Sequence, residues 1–319
     1  MQHQWRKLIR RNLFLFEILF SLTNILLFQK SFTWSLISRR SRFRTGTRFF
    51  SRGADSNGNV ANFCETEQII EFKDQVASHV QTRGSMPFLW TQTPCIKYMP
   101  KPQVQGSADQ NKHSMKAHFH EQISLYGEQV IVNLINQVKY EGDLEKEFRK
   151  LVNSISMAMD EVHYEAFDFH KECSKMRYDR LIILSDQLGS YDFGYFHKPG
   201  GGSGGIAPPI LKQKGVFRTN CMDCLDRTNV VQAYLAAENL AKILASLGVL
   251  NTPSVTELEG NSHFQNIYRN AWADHGNLIA VQYAGTGALK TDYTRTGVRT
   301  HWGVAQVNII IIMHILLFF

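Results

Sequence analysis

The chain has 319 residues, of which 44% are hydrophobic and 20% charged, enough to bury a sizeable core in one or two domains. Its five cysteines, an odd number at loose spacing, set aside a dense disulfide framework and suit a reducing compartment. A net charge of +7 points to anionic partners such as phosphorylated headgroups, an acidic membrane surface or nucleic acid.

In chain order, residues 1–33 open with Arg6, Lys7, Arg10 and Arg11 ahead of an apolar run at 13–28 that Glu17, Ser21, Thr23 and Asn24 interrupt. The run is shorter than the roughly 20 residues a membrane span needs, and Glu17 adds about 2–3 kcal/mol if placed deep. No small-residue cleavage site follows it. The segment is expected to stand outside the fold, as fortuitous sequence, then as an interfacial helix, then as an anchor. Residues 36–71 alternate in short runs around turns at 44–48 and 55–58, which predicts β-hairpins. The arginines between Arg39 and Arg52 are either a solvated strand face or a membrane contact. Residues 87–105 read as extended and 106–112 as a polar loop. An apolar run at 130–137 predicts a central strand, 144–159 an amphipathic helix, 164–169 a short strand and 176–188 a helix. Residues 198–209, rich in Gly and Pro, predict a flexible loop.

The most informative segment follows. Residues 215–217 are a short apolar strand candidate, and a helical pattern runs from Val230 through Leu247 to a stop at Gly248. Between them lies RTNCMDCLDRTN at 218–229, which contains C-x5-R-T: Cys221, Arg227 and Thr228. Strand, tight loop and helix N-terminus is the setting in which backbone N–H groups and the helix dipole hold a phosphate. The loop residues Met222, Asp223, Cys224, Leu225, Asp226 and Arg227 are therefore candidates for wrapping one phosphoryl group. Cys221, with its pKa lowered by the loop and dipole, would attack phosphorus to form a phosphocysteine. Arg227 would hold the equatorial oxygens, and the Thr228 hydroxyl would ease the departure of sulfur. No metal or cofactor is required. The bare C-x5-R pattern is a weak signal, and a buried Cys beside a solvated Arg explains it as well; the flanking strand, helix and Thr228 strengthen the catalytic reading. Cys221 and Cys224 also form C-x-x-C, but no second Cys or His pair stands at zinc spacing.

Asp223 is the preferred general acid, with Asp226 and the W-x-D element at Trp272 and Asp274 as alternatives. The W-x-D element follows a helical pattern and reads as structural. His170 and Lys171 are equally balanced between site charge and folding roles. Lys290, Arg295 and Arg299, among Gly285, Gly287 and Gly297, are candidates for a wall of the substrate site or for a basic surface loop.

The chain resembles the Sac-domain phosphoinositide phosphatases. The motifs that carry the resemblance are ISRRS at 37–41, ANFCETEQ at 61–68, QTRGS at 81–85, VIVNLINQ at 130–137, AFDFHKEC at 166–173, MRYDRL at 176–181, the signature at 215–232, NAWAD at 270–274 and QYAGTGALKTD at 282–292. They run in family order from about residue 34 to 306, with most similarity to the endoplasmic reticulum and Golgi member that dephosphorylates phosphatidylinositol 4-phosphate. The resemblance implies a mixed α/β (α+β) cysteine-phosphatase-like catalytic domain at 106–306, preceded at 34–105 by a remnant of a β-rich N-terminal subdomain. It implies a metal-independent hydrolase of the 4-phosphate, with the 3-phosphate as a second position, acting through Cys221. Its partner would be a phosphoinositide in an anionic membrane surface, not nucleic acid, on the cytosolic face of endoplasmic reticulum and Golgi membranes. Residues 1–33 and 307–319 depart from the family, and the switch after residue 306 is expected to mark translated intron or an incomplete gene model. Two alternatives stand beside this: a truncated, weak or inactive relative, and a soluble cysteine phosphatase with another substrate.

Overall fold

The computed structural model describes residues 15–93, 100–200, 208–289 and 291–296. Lys290, Arg299 and the tail at 307–319 lie outside the described residues. Four long strands open the fold: β1 (Leu15–Leu27), β2 (Lys30–Ser41), β3 (Cys64–Phe72) and β4 (Gln75–Arg83). They pair as successive antiparallel neighbours. The apolar run at 13–28 is thus neither a helix nor a segment outside the fold. Almost all of it is β1, hydrogen-bonded along its length to β2. Ile25 and Leu27 are fully buried while Leu22, Leu26 and Phe28 face outward, the two-residue alternation that a strand imposes. Ser21 and Thr23 share a face with the buried Ile25 and Leu27, so the polar breaks in the run do not mark its outward side.

A small ribbon, β5 (Trp90–Thr91) with β6 (Gln103–Val104), leads to helix α1 (Ala108–Tyr126). The polar loop expected at 106–112 is in fact the start of this helix. Ser107 and Gln110 form a reciprocal capping box, each side chain bonded to the other's backbone N–H. The buried side of α1 includes Asn111, Ser114, His118 and Gln122, so hydrophobic periodicity does not reveal it.

Next come β7 (Glu128–Asn133), α2 (Lys139–Ser156), β8 (Val162–Ala166), a one-turn α3 (Phe169–Glu172) and α4 (Leu181–Leu188). The helix expected at 176–188 begins only at Leu181; short 3-10 turns precede it. A short β9 (Phe196–Lys198) pairs antiparallel with β4. Then follow β10 (Gly215–Asn220), α5 (Asp226–Ser246), α6 (Val255–Glu259), α7 (Ser262–Ala284) and α8 (Thr291–Thr296). Among the described residues no helix is long and apolar enough to cross a membrane.

All these strands except the small ribbon join one mixed sheet, in the order β1-β2-β3-β4-β10-β7-β8 with β9 beside β4. The expected mixed α/β class holds. β10 runs parallel to both β4 and β7, and β7 parallel to β8. The carboxyl ends of four parallel strands therefore open on one edge, where open α/β sheets bind ligands. Helices cover both faces. One core cluster includes Trp34, Leu240, Leu244, Phe264 and Trp272, another Phe88, Phe119, Ile131 and Phe148. Each such side chain contributes about 1.5–3 kcal/mol.

Candidate active site

The segment that leaves β10 turns sharply through residues 221–225 and enters α5 at Asp226. Cys224 takes a left-handed backbone (φ 52°) to close the turn. The backbone N–H of Cys224 donates to the Cys221 sulfur at 3.1 Å, and the Thr228 hydroxyl donates to it at 3.4 Å.

The loop carbonyls are turned outward and held by side chains from distant segments. Arg52 donates to the Met222 carbonyl at 3.0 Å, Asn62 to those of Asp223 and Cys224 at 3.2 and 3.4 Å, and Arg83 to that of Leu225 at 3.0 Å. A loop whose carbonyls are drawn away this way presents its N–H groups to an anion. Burial pushes the Cys221 thiol up. The hydrogen bonds from Cys224 and Thr228 and the charge of Arg227 outweigh it and bring the thiol down to about 5. Burial and the neighbouring Cys221 push Cys224 the other way, well above the usual thiol range. The two cysteines of C-x-x-C, both buried, are thus electrostatically distinct: the thiolate is favoured at Cys221 and the neutral thiol at Cys224.

A cavity of about 540 Å³ opens over this loop. Its lining brings Cys221, Asp223, Asp226 and Arg227 together with Glu141, His170 and Lys175 from the segments after β7 and β8. Arg227 is engaged by those segments. It donates to both Glu141 oxygens at 3.1 Å and to the Leu134 carbonyl at 3.1 Å.

Asp223 requires a correction. Its carboxylate is ion-paired with Arg52 at 2.6 Å and with Arg48 at 3.2 Å. Burial raises its pKa, but the two arginines prevail and hold it at about 2. In the ligand-free site Asp223 has no proton to give at neutral pH, so the general-acid role does not follow from its place in the loop. The Trp272 and Asp274 pair is structural: the Trp272 carbonyl accepts from Asn229 at 2.9 Å and Asp274 pairs with Arg295. Arg295 also donates to Asn270 at 2.8 Å and does not line the cavity, so it forms no wall of the site. His170 reaches the cavity, whereas Lys171 pairs with Glu172 at 3.7 Å. Sequence reasoning missed Arg48, Arg52, Asn62, Arg83 and Glu141 as site residues. Asn62 and Arg83 lie inside motifs already singled out, and that was the available signal. Among the described residues no group of three or more His, Cys, Asp or Glu is placed to hold a metal ion.

The model of the SacI homology domain matches residues 9–174, just over half of the chain. The chain belongs to the SacI homology domain family. The match begins within the segment that had been set apart at 1–33, in keeping with β1 as part of the sheet. Among curated relatives, the zebrafish (Danio rerio) phosphatidylinositol-3-phosphatase SAC1-A is 51% identical over 280 residues, which is 87% of this chain and 46% of that protein. The Saccharomyces cerevisiae phosphatidylinositol-3-phosphatase SAC1 is 44% identical over 277 residues, 84% of this chain and 43% of its own. The human phosphatidylinositide phosphatase SAC2 is 42% identical over 276 residues, 86% of this chain and 23% of its own. The chain therefore spans less than half the length of these relatives.

Proposed function

We propose that this SacI homology domain chain is a phosphoinositide phosphatase that hydrolyses a phosphate monoester through a phosphocysteine on Cys221. The observation that carries this is the Cys221 thiol, lowered to about 5, inside a loop whose carbonyls are pulled outward by Arg52, Asn62 and Arg83. The thiolate attacks phosphorus in line: the P–S bond forms as the P–O bond to the inositol breaks, the leaving oxygen takes a proton from water in the cavity, and the loop N–H groups and Arg227 hold the negative charge of the phosphoryl group. For this, Arg227 has to exchange some of its bonds to Glu141 for substrate oxygens. Sulfur then leaves as thiolate, assisted by the Thr228 hydroxyl, when water attacks the phosphocysteine.

The substrate class is supported by the names of the relatives and by the net charge of +7, which suits an anionic lipid surface. The position removed is the 4-phosphate by the resemblance of the motifs; the relatives named as 3-phosphatases make the 3-phosphate the competing choice. By the same resemblance its place of action is the cytosolic face of endoplasmic reticulum and Golgi membranes. Phosphate release across the phosphoinositide isomers in vesicles, with Cys221→Ser as control, tests the proposal. Release from the 4-phosphate that disappears in Cys221→Ser is expected; equal release by both proteins overturns it.

A further inference from the structure

The arginines that bond at or near the phosphate loop or its sheet include two kinds. Arg39 is paired with Glu65 and Glu67, Arg52 with Asp223, and Arg227 with Glu141. Arg83 and Arg218 are different. Both are fully buried, and among the described residues neither has a carboxylate at ion-pair distance. Arg83, at the end of β4, donates to the Asn229 side chain at 3.3 Å and to the Leu225 carbonyl at 3.0 Å, and its Nε has no partner. Arg218, on β10, donates to His118 Nε2 at 2.9 Å and to the Ser85 carbonyl at 2.6 Å, and one terminal nitrogen has no partner.

The neighbouring imidazoles do not neutralise these cations. His118 accepts from Arg218 on Nε2 and therefore carries its proton on Nδ1, 2.9 Å from the Gly58 carbonyl. His275 stands 2.8 Å from Asn229, the acceptor it shares with Arg83. Burial first, and then the adjacent arginine, keeps each ring well below the usual histidine pKa and so neutral. A buried guanidinium without an anion costs several kcal/mol, so Arg83, bonded to the loop at Leu225, and Arg218, on the strand that leads into it, call for an anionic partner. The groups within electrostatic reach of Arg83 are Cys64 first, then Cys224, Cys221 and Asp226, and for Arg218 the group is Cys224.

Arg48 and Arg52 share Asp223, Arg227 pairs with Glu141, and Asp226 lies within electrostatic reach of Arg83, so the arginines at the loop outnumber the carboxylates, while Lys139, His170 and Lys175 sit exposed at the cavity and are screened by water.

We propose that Arg83 and Arg218 are positioning residues of the phosphoryl site, fixed cations whose unmatched charge is met by the Cys221 thiolate and then by the bound phosphoryl group. This rests on the phosphatase reading but is measured separately from it. The test compares Arg83→Met and Arg218→Met with Arg83→Lys and Arg218→Lys. The readout is the pH dependence of iodoacetamide alkylation at Cys221, located by mass spectrometry, alongside inhibition by orthovanadate. Each Met variant should raise the alkylation midpoint by about one pH unit and weaken orthovanadate about tenfold. Each Lys variant, which keeps the charge but not the fork of hydrogen bonds, should stay close to wild type. Equal shifts in Met and Lys variants, or unshifted midpoints in Met variants with native circular dichroism, overturn the proposal. If the Met variants do not fold, the Lys variants decide: a retained low midpoint supports the assignment, and a return to the ordinary thiol range refutes it. Absence of phosphate release in wild type would sink the phosphatase reading alone, because alkylation needs no turnover.

Discussion

Asp223→Asn isolates the ion pairs that hold the phosphate loop to the arginine-bearing segment at 42–53. In the folded protein Arg52 and Arg48 keep this carboxyl near 2, against a usual 3.8. A depression of nearly two units corresponds to about 2 kcal/mol of stability once partial exposure is allowed for. The substitution also strips a buried Arg52 of its carboxylate, a loss that alone reaches about 3–5 kcal/mol when no polar group replaces it; the asparagine oxygen retains one hydrogen bond. The net expectation is a loss of about 2–4 kcal/mol at pH 7. Because the folded pKa is depressed, the stabilisation is complete above the unfolded value near 4 and disappears as pH falls through about 4 toward 2. Urea denaturation of both proteins at intervals from pH 7 to pH 3 measures this directly. The gap between wild type and variant should be constant from pH 7 to about 5 and shrink below 4. A gap that does not change with pH would show that the ion pairs contribute nothing and that the effect is one of packing.

Four further outcomes are expected. Cys221→Ser should abolish phosphate release while Cys224→Ser keeps much of it, since burial and Cys221 hold Cys224 as an inert thiol; equal loss in two folded variants counts against the assignment. Wild-type alkylation at Cys221 should follow a midpoint near 5 and be flat from pH 7 to 8, whereas an increase of about tenfold per pH unit across that range would mean an ordinary thiol. Activity should survive EDTA, and loss with recovery on added magnesium would indicate another mechanism. Glu141→Gln, which removes the carboxylate 3.1 Å from Arg227, should tighten inhibition by orthovanadate several-fold by removing the competing anion; weaker inhibition would mean that Glu141 holds Arg227 in its productive place.

The loop around Cys221 was legible in the sequence because its parts are local. Strand, five-residue loop, Arg227 and Thr228 lie within one short stretch, and each has a signal tied to its neighbours. The rest of the site was illegible for a common reason: its members come from far away. Arg52 reaches a carbonyl 170 positions on, and Arg83 and Asn229 are 146 apart. In sequence these arginines look like basic turns and strand ends. Asp223 was misjudged by the same blindness, since proximity to a phosphate suggested a raised pKa and the two arginines that lower it were invisible. Helix α1 escaped because it buries Asn111, Ser114, His118 and Gln122, so a polar loop seemed the natural reading. Its capping box at Ser107 and Gln110 was present and went unused. β1 escaped because its polar residues Ser21 and Thr23 share a face with the buried Ile25 and Leu27 and so do not show which side faces the core.

The position of β10 between β4 and β7 has a consequence for how the protein is made. A ribosome releases β4 and β7 long before β10, and until then those two strands have no common neighbour. In that interval β7 and the Thr82–Arg83 end of β4 lack the strand they pair with, an open edge of the kind that favours aggregation or chaperone binding. When residues 215–220 arrive they close the seam at both sides at once. In the same event Arg52, Asn62 and Arg83 meet the carbonyls they hold. The surroundings that lower the Cys221 thiol are thus completed only after the last strand joins the sheet and α5 supplies Arg227 and Thr228.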